Sequence, residues 1–318
     1  SLFNWSIAKP NLFWTSLLSY LDISYSGNEN PAISESENIY DKKFFPNLKL
    51  SYSENIINNL NSIPILYVNE IGFKKYYSKE EVIHKVNLVA KYLRSIGVKK
   101  GDRVVGIVTN NAETLISFLA VNSIGAVWSS CSPDFGEQAI LDRFSQIEPK
   151  ILFYSSSYMY GGKKFKILEK IKNVESKLNT LEVSICIDYS QKDKSFIDEK
   201  LNFFEENNRE LSELSFERCQ FNDPMYILYS SGTTGKPKCI VHNTGGPLIQ
   251  HLKEQQLHCE ICENDKLFYF TTCGWMMWNW LISGLASKAT IVLYEGSPFF
   301  PKQDSLFKLA EEAVSYTH

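Results

Sequence analysis

The sequence predicts an α/β fold, in which a mostly parallel sheet is covered by helices on its faces. Short apolar runs of strand length alternate with longer segments whose apolar residues recur at helical spacing. Strand, helix and strand in this order form βαβ units, and such units build parallel sheets. A length of 318 residues is long for one compact unit. It suggests two subdomains or one large α/β domain.

The first half of the chain begins with a segment of mixed character and continues as a regular alternation. The segment up to about residue 60 is aromatic and polar, and we expect short helices that pack onto the main domain. Helical spacing covers about 110–125, where Gly125 suits the helix end, and about 135–147. Buried strands are predicted at RVVGIVT (103–109), AVWSS (126–130), ILFY (151–154) and VSICI (183–187).

The second half resumes the alternation after a polar stretch. Residues 190–222 are charged and weakly patterned, which predicts a surface connection between subdomains. Helices are predicted from about 247 to 260, where Pro247 suits the first turn, and through 277–287. Strands are predicted at MYILYS (225–230), CIVH (239–242), KLFYFT (266–271) and TIVLY (290–294).

Composition excludes several functional classes. The chain has 33 basic and 36 acidic residues and a net charge of −3, so nothing attracts it to nucleic acid or to anionic lipid. The most apolar stretch, 275–286, is too short to span a membrane. Seven scattered cysteines and the absence of a signal-peptide pattern favour a reducing, cytoplasmic location. Because the first residue is Ser1, we expect that the sequence begins inside a longer chain.

The most informative stretch is YILYSSGTTGKPKCIVH (226–242), where hydroxyls, glycines and two lysines separate two strand-like runs. It is not a Walker A loop, because Gly232 and Gly235 are too close and Lys236 is followed by Pro237. Glycines let backbone N–H groups approach a phosphate, hydroxyls donate hydrogen bonds, and lysines offset its charge. A phosphate-binding loop is therefore favoured over a flexible turn.

The segment SSGTTGKPK resembles the signature loop of the adenylate-forming superfamily, which includes acyl-CoA synthetases and firefly luciferase. The resemblance implies that the loop holds the β- and γ-phosphates of ATP, with Thr233 and Lys238 catalytic and with Thr233 assisting Mg²⁺. No metal ligand set from the protein alone is expected. The implied phosphate-binding residues are Ser230, Ser231, Gly232, Thr233, Thr234, Gly235, Lys236, Pro237 and Lys238.

The block TTCGWMMWNW (271–280) is similar to the branch of this family that activates acetoacetate. The matching motif in the family borders the acyl pocket, which implies that role for Trp275, Met276 and Met277. We expect Trp275 to be a large buried side chain whose replacement by Gly would cost stability. Trp278 and Trp280 are predicted to be core residues, because Trp is mostly buried in any case. The resemblance to acetyl- or propionyl-specific ligases stays open as an alternative.

Three further groups have simpler explanations. Lys163 is predicted to be an ordinary surface lysine, although in related acyl-CoA synthetases a basic residue near this position contacts the phosphates of coenzyme A. Asp134 and Glu137 read as a carboxylate pair at a helix start rather than as an acid–base dyad. Six scattered residues suggest metal ligands, but their spacing favours structural roles. They are Cys239, His242, His251, His258, Cys259 and Cys262.

The resemblance implies a ligase that uses ATP, Mg²⁺ and coenzyme A, with small-molecule partners. It implies a cap segment at 1–60 and a partial AMP-binding domain at 61–318, built as two βαβ subdomains of which the second is incomplete. The family's adenine and ribose motifs and its carboxy-terminal lysine do not occur in this sequence. We therefore expect residues 1–318 alone to be inactive. The non-enzyme alternative is a nucleotide-binding fragment without turnover.

Overall fold

The computed structural model describes residues 1–187, 213–230 and 235–313. In these ranges the α-helices are α1 (Leu2–Ala8), α2 (Pro10–Tyr20), α3 (Tyr52–Asn58), α4 (Lys79–Ser95), α5 (Ala112–Ser123), α6 (Glu137–Phe144), α7 (Leu168–Glu175), α8 (Gly246–Lys253), α9 (Met276–Ser283) and α10 (Ser305–Ala313). The strands of the same ranges fall into four sheets and are given with them below.

The largest sheet has six strands and forms the first layer of the molecule. Its strands are β5 (Arg103–Ile107), β6 (Val127–Cys131), β7 (Ile151–Tyr154), β10 (Val183–Cys186), β12 (Pro224–Ser230) and β13 (Lys238–Asn243). They lie in the order β10-β7-β5-β6-β12-β13, and only the edge strand β13 pairs antiparallel. This is the predicted parallel sheet. Helix α5 packs inside the molecule, and Asn111 caps it by accepting from the N–H of Thr114.

A second sheet has four strands in the order β14-β15-β3-β4. Its strands are β3 (Ile65–Asn69), β4 (Lys74–Tyr77), β14 (Lys266–Phe268) and β15 (Thr290–Glu295). The two sheets interleave along the chain, because β3 and β4 precede the first sheet while β12 and β13 follow the polar stretch at 190–222. That stretch therefore does not separate the strands of one sheet from those of the other. Its residues 190–212 lie outside the described residues.

The remaining strands are short. They are β1 (Ser26–Gly27), β2 (Leu48–Leu50) and β11 (Cys219–Gln220), which form a three-stranded sheet, and β8 (Ser157–Tyr160) and β9 (Lys163–Lys166), which form a hairpin. The amino-terminal segment contributes α1, α2 and α3. Ser53 on α3 donates to the carbonyl of Leu119 at 2.7 Å, and Tyr52 packs edge-on against Phe118. This contact joins the segment to α5. No helix in the described ranges is both long and apolar enough to cross a bilayer.

Candidate active site

The polar loop connects β12 to β13 as a hairpin at the carboxyl end of β12. Ser230 pairs with Lys238, and this is the pair of β12 and β13 residues next to the loop. Lys236 and Lys238 are exposed, and Gly235 has a φ of +112° with nothing near the position of a side chain. The amide of Gln146 donates to the carbonyl of Pro237 at 2.8 Å and fixes one end of the loop. The predicted residues Ser231, Gly232, Thr233 and Thr234 lie outside the described residues.

The loop lies at the edge of the sheet where ligands usually bind. Strand β12 runs parallel to β6, so the loop leaves the sheet at the same edge as the segments that follow β5, β6 and β7. In open α/β sheets, ligands bind in the crevice outside the carboxyl ends of the strands. The position of the loop therefore agrees with a ligand-binding role.

The segment before α9 is held in this crevice by buried hydrogen bonds. Ser130 donates to the carbonyl of Cys273 at 2.8 Å. Trp278 is fully buried, as predicted, and its indole N–H donates to Asn110 at 2.9 Å. The Asn110 amide in turn lies 3.5 Å from the carbonyl of Thr271. These contacts place the start of α9 beside the ends of β5 and β6.

The three predicted acyl-pocket residues are not equivalent. Trp275 precedes α9 and is 62% exposed, so the expectation of a large buried side chain there is wrong. The physical reason is that Trp275 is the N-cap of α9, three residues before Trp278, the first buried residue of that helix. Met276 lines a cavity of about 580 Å³, whereas Trp275 and Met277 do not contribute to that cavity. Trp280 was predicted to be core, but it is only half-buried and lines the same cavity.

The cavity of about 580 Å³, which we call the α8–α9 cavity, is lined mainly by aromatic and aliphatic side chains, with a few polar groups. Trp14 and Phe44 reach it from the amino-terminal segment. His242 of β13 and His251 of α8 line another side. Sites for small molecules usually combine several hundred Å³ of apolar wall with a few convergent polar groups. The α8–α9 cavity has this character.

His251 belongs to a buried chain of hydrogen bonds with the hydroxyls of Ser283 and Tyr52. The Ser283 hydroxyl lies 2.9 Å from the carbonyl of Asn279 and 2.8 Å from both the Tyr52 hydroxyl and Nδ1 of His251. Nδ1 of His251 is therefore hydrogen-bonded inside the protein. Burial, and to a smaller extent the neighbouring His242, lower the pKa of His251 to about 4. The imidazole is neutral at pH 7.

This shift predicts a stability change in mild acid. The unfolded chain binds a proton on His251 below about pH 6.5, whereas the folded chain binds it only near pH 4, so the free energy of unfolding falls as the pH drops through this window. The full loss is about 3 kcal/mol. We expect His251→Asn, which can still donate to Ser283, to flatten this part of a pH series of thermal unfolding. His258→Gln, which changes an exposed histidine, serves as the control. An unchanged pH dependence in His251→Asn would contradict the assignment.

A second, smaller cavity of about 210 Å³ lies under the β8–β9 hairpin. The segments after β5, β6 and β14 form its floor, and Tyr158, Tyr160 and Phe165 of the hairpin form its roof. Tyr158 and Phe165 stack at 5.0 Å. Lys163 is exposed on β9, directly after the glycine turn. It lies on the hairpin but is not one of the residues that line this smaller cavity.

The groups that suggested metal ligands are spread over separate elements. Cys259 and Cys262 are exposed after α8, whereas His251 is committed to Ser283. In the described ranges, no three His, Cys, Asp or Glu side chains are placed to hold a metal ion. Glu137 is the first residue of α6, so it occupies the helix-start position that was predicted.

Comparison with known proteins decides the family. The profile described as AMP-binding enzyme matches residues 65–318. The chain belongs to the AMP-binding enzyme family.

Several similar proteins within this family share one name. A protein named acetoacetyl-CoA synthetase from Mus musculus is 41% identical over 98% of this chain. Another, acetoacetyl-coenzyme A synthetase from Rhizobium meliloti (strain 1021), is 39% identical over 96% of it. The solved structure of acetoacetyl-CoA synthetase from Streptomyces lividans superimposes with a TM-score of 0.89 at 35% identity and covers 97% of this chain. The chain spans 48% of the length of each of these proteins.

In this AMP-binding enzyme, the structure adds site residues that the sequence analysis did not assign. The sequence suggests His242 and His251 as metal ligands and favours structural roles for them, whereas both line the α8–α9 cavity. Glu70 was not considered at all, although it is buried at the turn after β3. A local signal for His251 exists, since it repeats on the apolar face of α8. No local signal marks Glu70.

Proposed function

We propose that this chain provides the ATP-phosphate side and the acid side of a ligase that joins acetoacetate to coenzyme A. The acetoacetate carboxylate attacks the α-phosphorus of ATP, which forms acetoacetyl-adenylate and releases pyrophosphate. The thiolate of coenzyme A then attacks the acyl carbon, and AMP leaves as the thioester forms. The observation that carries this proposal is the hairpin loop 231–237 at the carboxyl edge of the main sheet, in a chain of the AMP-binding family.

The loop is suited to hold the pyrophosphate part of ATP. The Ser230–Lys238 segment offers backbone N–H groups, four hydroxyl side chains and two exposed lysines beside an unobstructed Gly235. Phosphoryl transfer depends mainly on positioning and on stabilisation of charge, and the loop supplies both. Mg²⁺ bound with the phosphates would lower their charge, with Thr233 as the proposed hydroxyl partner.

We assign the α8–α9 cavity to the acid. Its wall includes Met276 and Trp280, which suit the methyl end of a short acid, while His242 and Gln250 are polar groups within reach of an oxo group. Trp275, because it is exposed, would cover the mouth of the site rather than form its wall. Lys163 and the rest of the β8–β9 hairpin are assigned to the phosphates of coenzyme A. All seven cysteines are free thiols, which supports a cytoplasmic location.

The function is tested by the acid dependence of pyrophosphate exchange into ATP. A full-length protein that contains this chain is offered acetate, propionate, acetoacetate and hexanoate, and thioester formation is measured in parallel with Mg²⁺ and coenzyme A. Acetoacetate should give the highest kcat/KM in both assays. A higher value for acetate or propionate would assign the protein to the other acid–CoA ligases. Exchange with none of the acids would reject the ligase function.

A mutation at the α8–α9 cavity should change the choice of acid. Met276→Ala enlarges the cavity and should shift the kcat/KM ratio of hexanoate to acetoacetate upward by about tenfold, because each added methylene gains about 1 kcal/mol or more in an apolar pocket. Trp275→Gly should shift it less, since Trp275 does not line the cavity. An unchanged order of acids in Met276→Ala, or a larger shift in Trp275→Gly, would contradict the assignment of the cavity.

A further inference from the structure

Glu70 lies at the turn after β3 and is 4% exposed. Its carboxylate accepts three backbone hydrogen bonds from two other parts of the chain. The N–H groups of Gly161 and Gly162 donate at 2.8 Å each, one to each carboxylate oxygen. The N–H of Ser297, after β15, donates at 2.7 Å. A carboxylate that accepts several N–H bonds forms strong, charge-assisted contacts, so this cluster fixes three segments together.

The surrounding backbone fits the carboxylate closely. Gly296 has a φ of +124°, and a side chain there would lie 2.5 Å from the Cβ of Glu70. Gly162 has a φ of +77°, and a side chain there would lie 2.6 Å from the ring of Phe300. Only glycine meets both the conformation and the space at these positions. The glycine turn of the β8–β9 hairpin is therefore seated between Glu70 and the segment after β15.

The position of this turn determines where the hairpin stands. Strand β9 begins at Lys163, one residue after the turn, and carries the exposed Lys163, Lys164 and Lys166. The same hairpin forms the roof of the smaller cavity through Tyr158, Tyr160 and Phe165. The hairpin itself has only four residues in each strand and pairs with no other strand in the described ranges. Two-stranded hairpins of this size are marginally stable without further contacts.

We propose that Glu70 is a positioning residue for coenzyme A. It fixes the glycine turn, and the turn places the lysines of β9 where they bind the phosphate groups of coenzyme A. Glu70 itself touches no substrate. This inference rests on the proposed function for the identity of the ligand, but the fixing of the hairpin by Glu70 can be measured without turnover.

The test compares Glu70→Gln with Glu54→Gln in a full-length protein that contains this chain. Gln keeps the shape of Glu70, but its NH₂ group cannot accept from the glycine N–H groups. Glu54 is a matched control, because it also makes a tight contact, with Arg218 at 2.6 Å and 2.8 Å, on α3 and away from the hairpin. Hydrogen exchange at 158–166 and 297, the KM for coenzyme A and the rate of pyrophosphate exchange are measured for each variant.

In Glu70→Gln, we expect hydrogen exchange in the hairpin to become about tenfold faster and the KM for coenzyme A to rise by about tenfold, consistent with the loss of charge-assisted hydrogen bonds. Pyrophosphate exchange, which does not use coenzyme A, should fall no more than in Glu54→Gln. Adding Lys163→Ala to Glu70→Gln should raise the KM by less than the product of the single effects, because both changes act on one contact.

Three results would overturn the inference. They are an unchanged KM for coenzyme A, unchanged hydrogen exchange in the hairpin, and an equal loss in both half-reactions. If the wild-type protein forms no acyl-adenylate, the proposed function has failed, and titration calorimetry with coenzyme A alone then decides this inference. Weaker binding by Glu70→Gln than by Glu54→Gln would support it, and equal binding or no binding by the wild type would overturn it.

Discussion

Lys238→Ala and Thr233→Ala should each lower the rate of adenylate formation by about a hundredfold in a full-length protein that contains this chain. Removal of one preorganised contact to the charge of a transition state costs on the order of 3 kcal/mol. Lys238 is the first residue of β13 and is exposed, so its truncation removes charge beside the loop without opening the core. The measurement is acid-dependent exchange of pyrophosphate into ATP.

The control for this prediction is Lys49→Ala, which removes an exposed strand lysine from β2, on another sheet. It should leave the exchange rate unchanged, because a solvated surface charge contributes little. The thermal midpoint of all three variants should stay close to that of the wild type. Normal exchange in both loop variants would show that the loop is not the phosphate site.

The centre of the main sheet could be predicted from sequence because β5, β6 and β7 are buried on both faces and form continuous apolar runs. Strand β7 matches its predicted bounds residue for residue. Strand β4 was missed because KKYY carries too few apolar residues to show a pattern. Helix α4 was also missed, although Ser78 and Glu81 form the start signal of a capped helix; the Glu81 N–H donates to the Ser78 hydroxyl at 3.1 Å.

The order of strands and the contacts of Glu70 could not be predicted, for a shared physical reason. Strand β15 pairs with β3 across most of the chain, and neither strand carries information about its partner in its own residues. Glu70 meets donors that are 91, 92 and 227 residues away. Local periodicity shows which face of an element is buried, but not which element covers it. The polar loop was found because its composition is itself local.

Trp278→Ala should be among the most destabilising single substitutions in this chain. Trp278 is fully buried on α9, its ring packs edge-on against Phe118 with centroids 5.5 Å apart, and its N–H donates to Asn110. Truncation of a buried Trp to Ala typically costs about 3–5 kcal/mol, because the lost apolar contact is joined by a cavity. For a chain of this size, calorimetry should show a fall in the thermal midpoint of roughly six degrees.

Two variants separate the causes of this loss. Trp278→Phe keeps most of the ring but leaves the Asn110 oxygen without its donor, and it should cost about 1–3 kcal/mol. Trp275→Ala removes the same kind of side chain three residues earlier, where it is 62% exposed, and should change stability by only about 0.5 kcal/mol.

Because Asn110 also contacts Thr271, the Trp278 variants should loosen the segment before α9 as well. Hydrogen exchange at 271–275 should therefore be faster in both Trp278 variants than in Trp275→Ala. Equal destabilisation by Trp275→Ala and Trp278→Ala would contradict the burial on which this prediction depends.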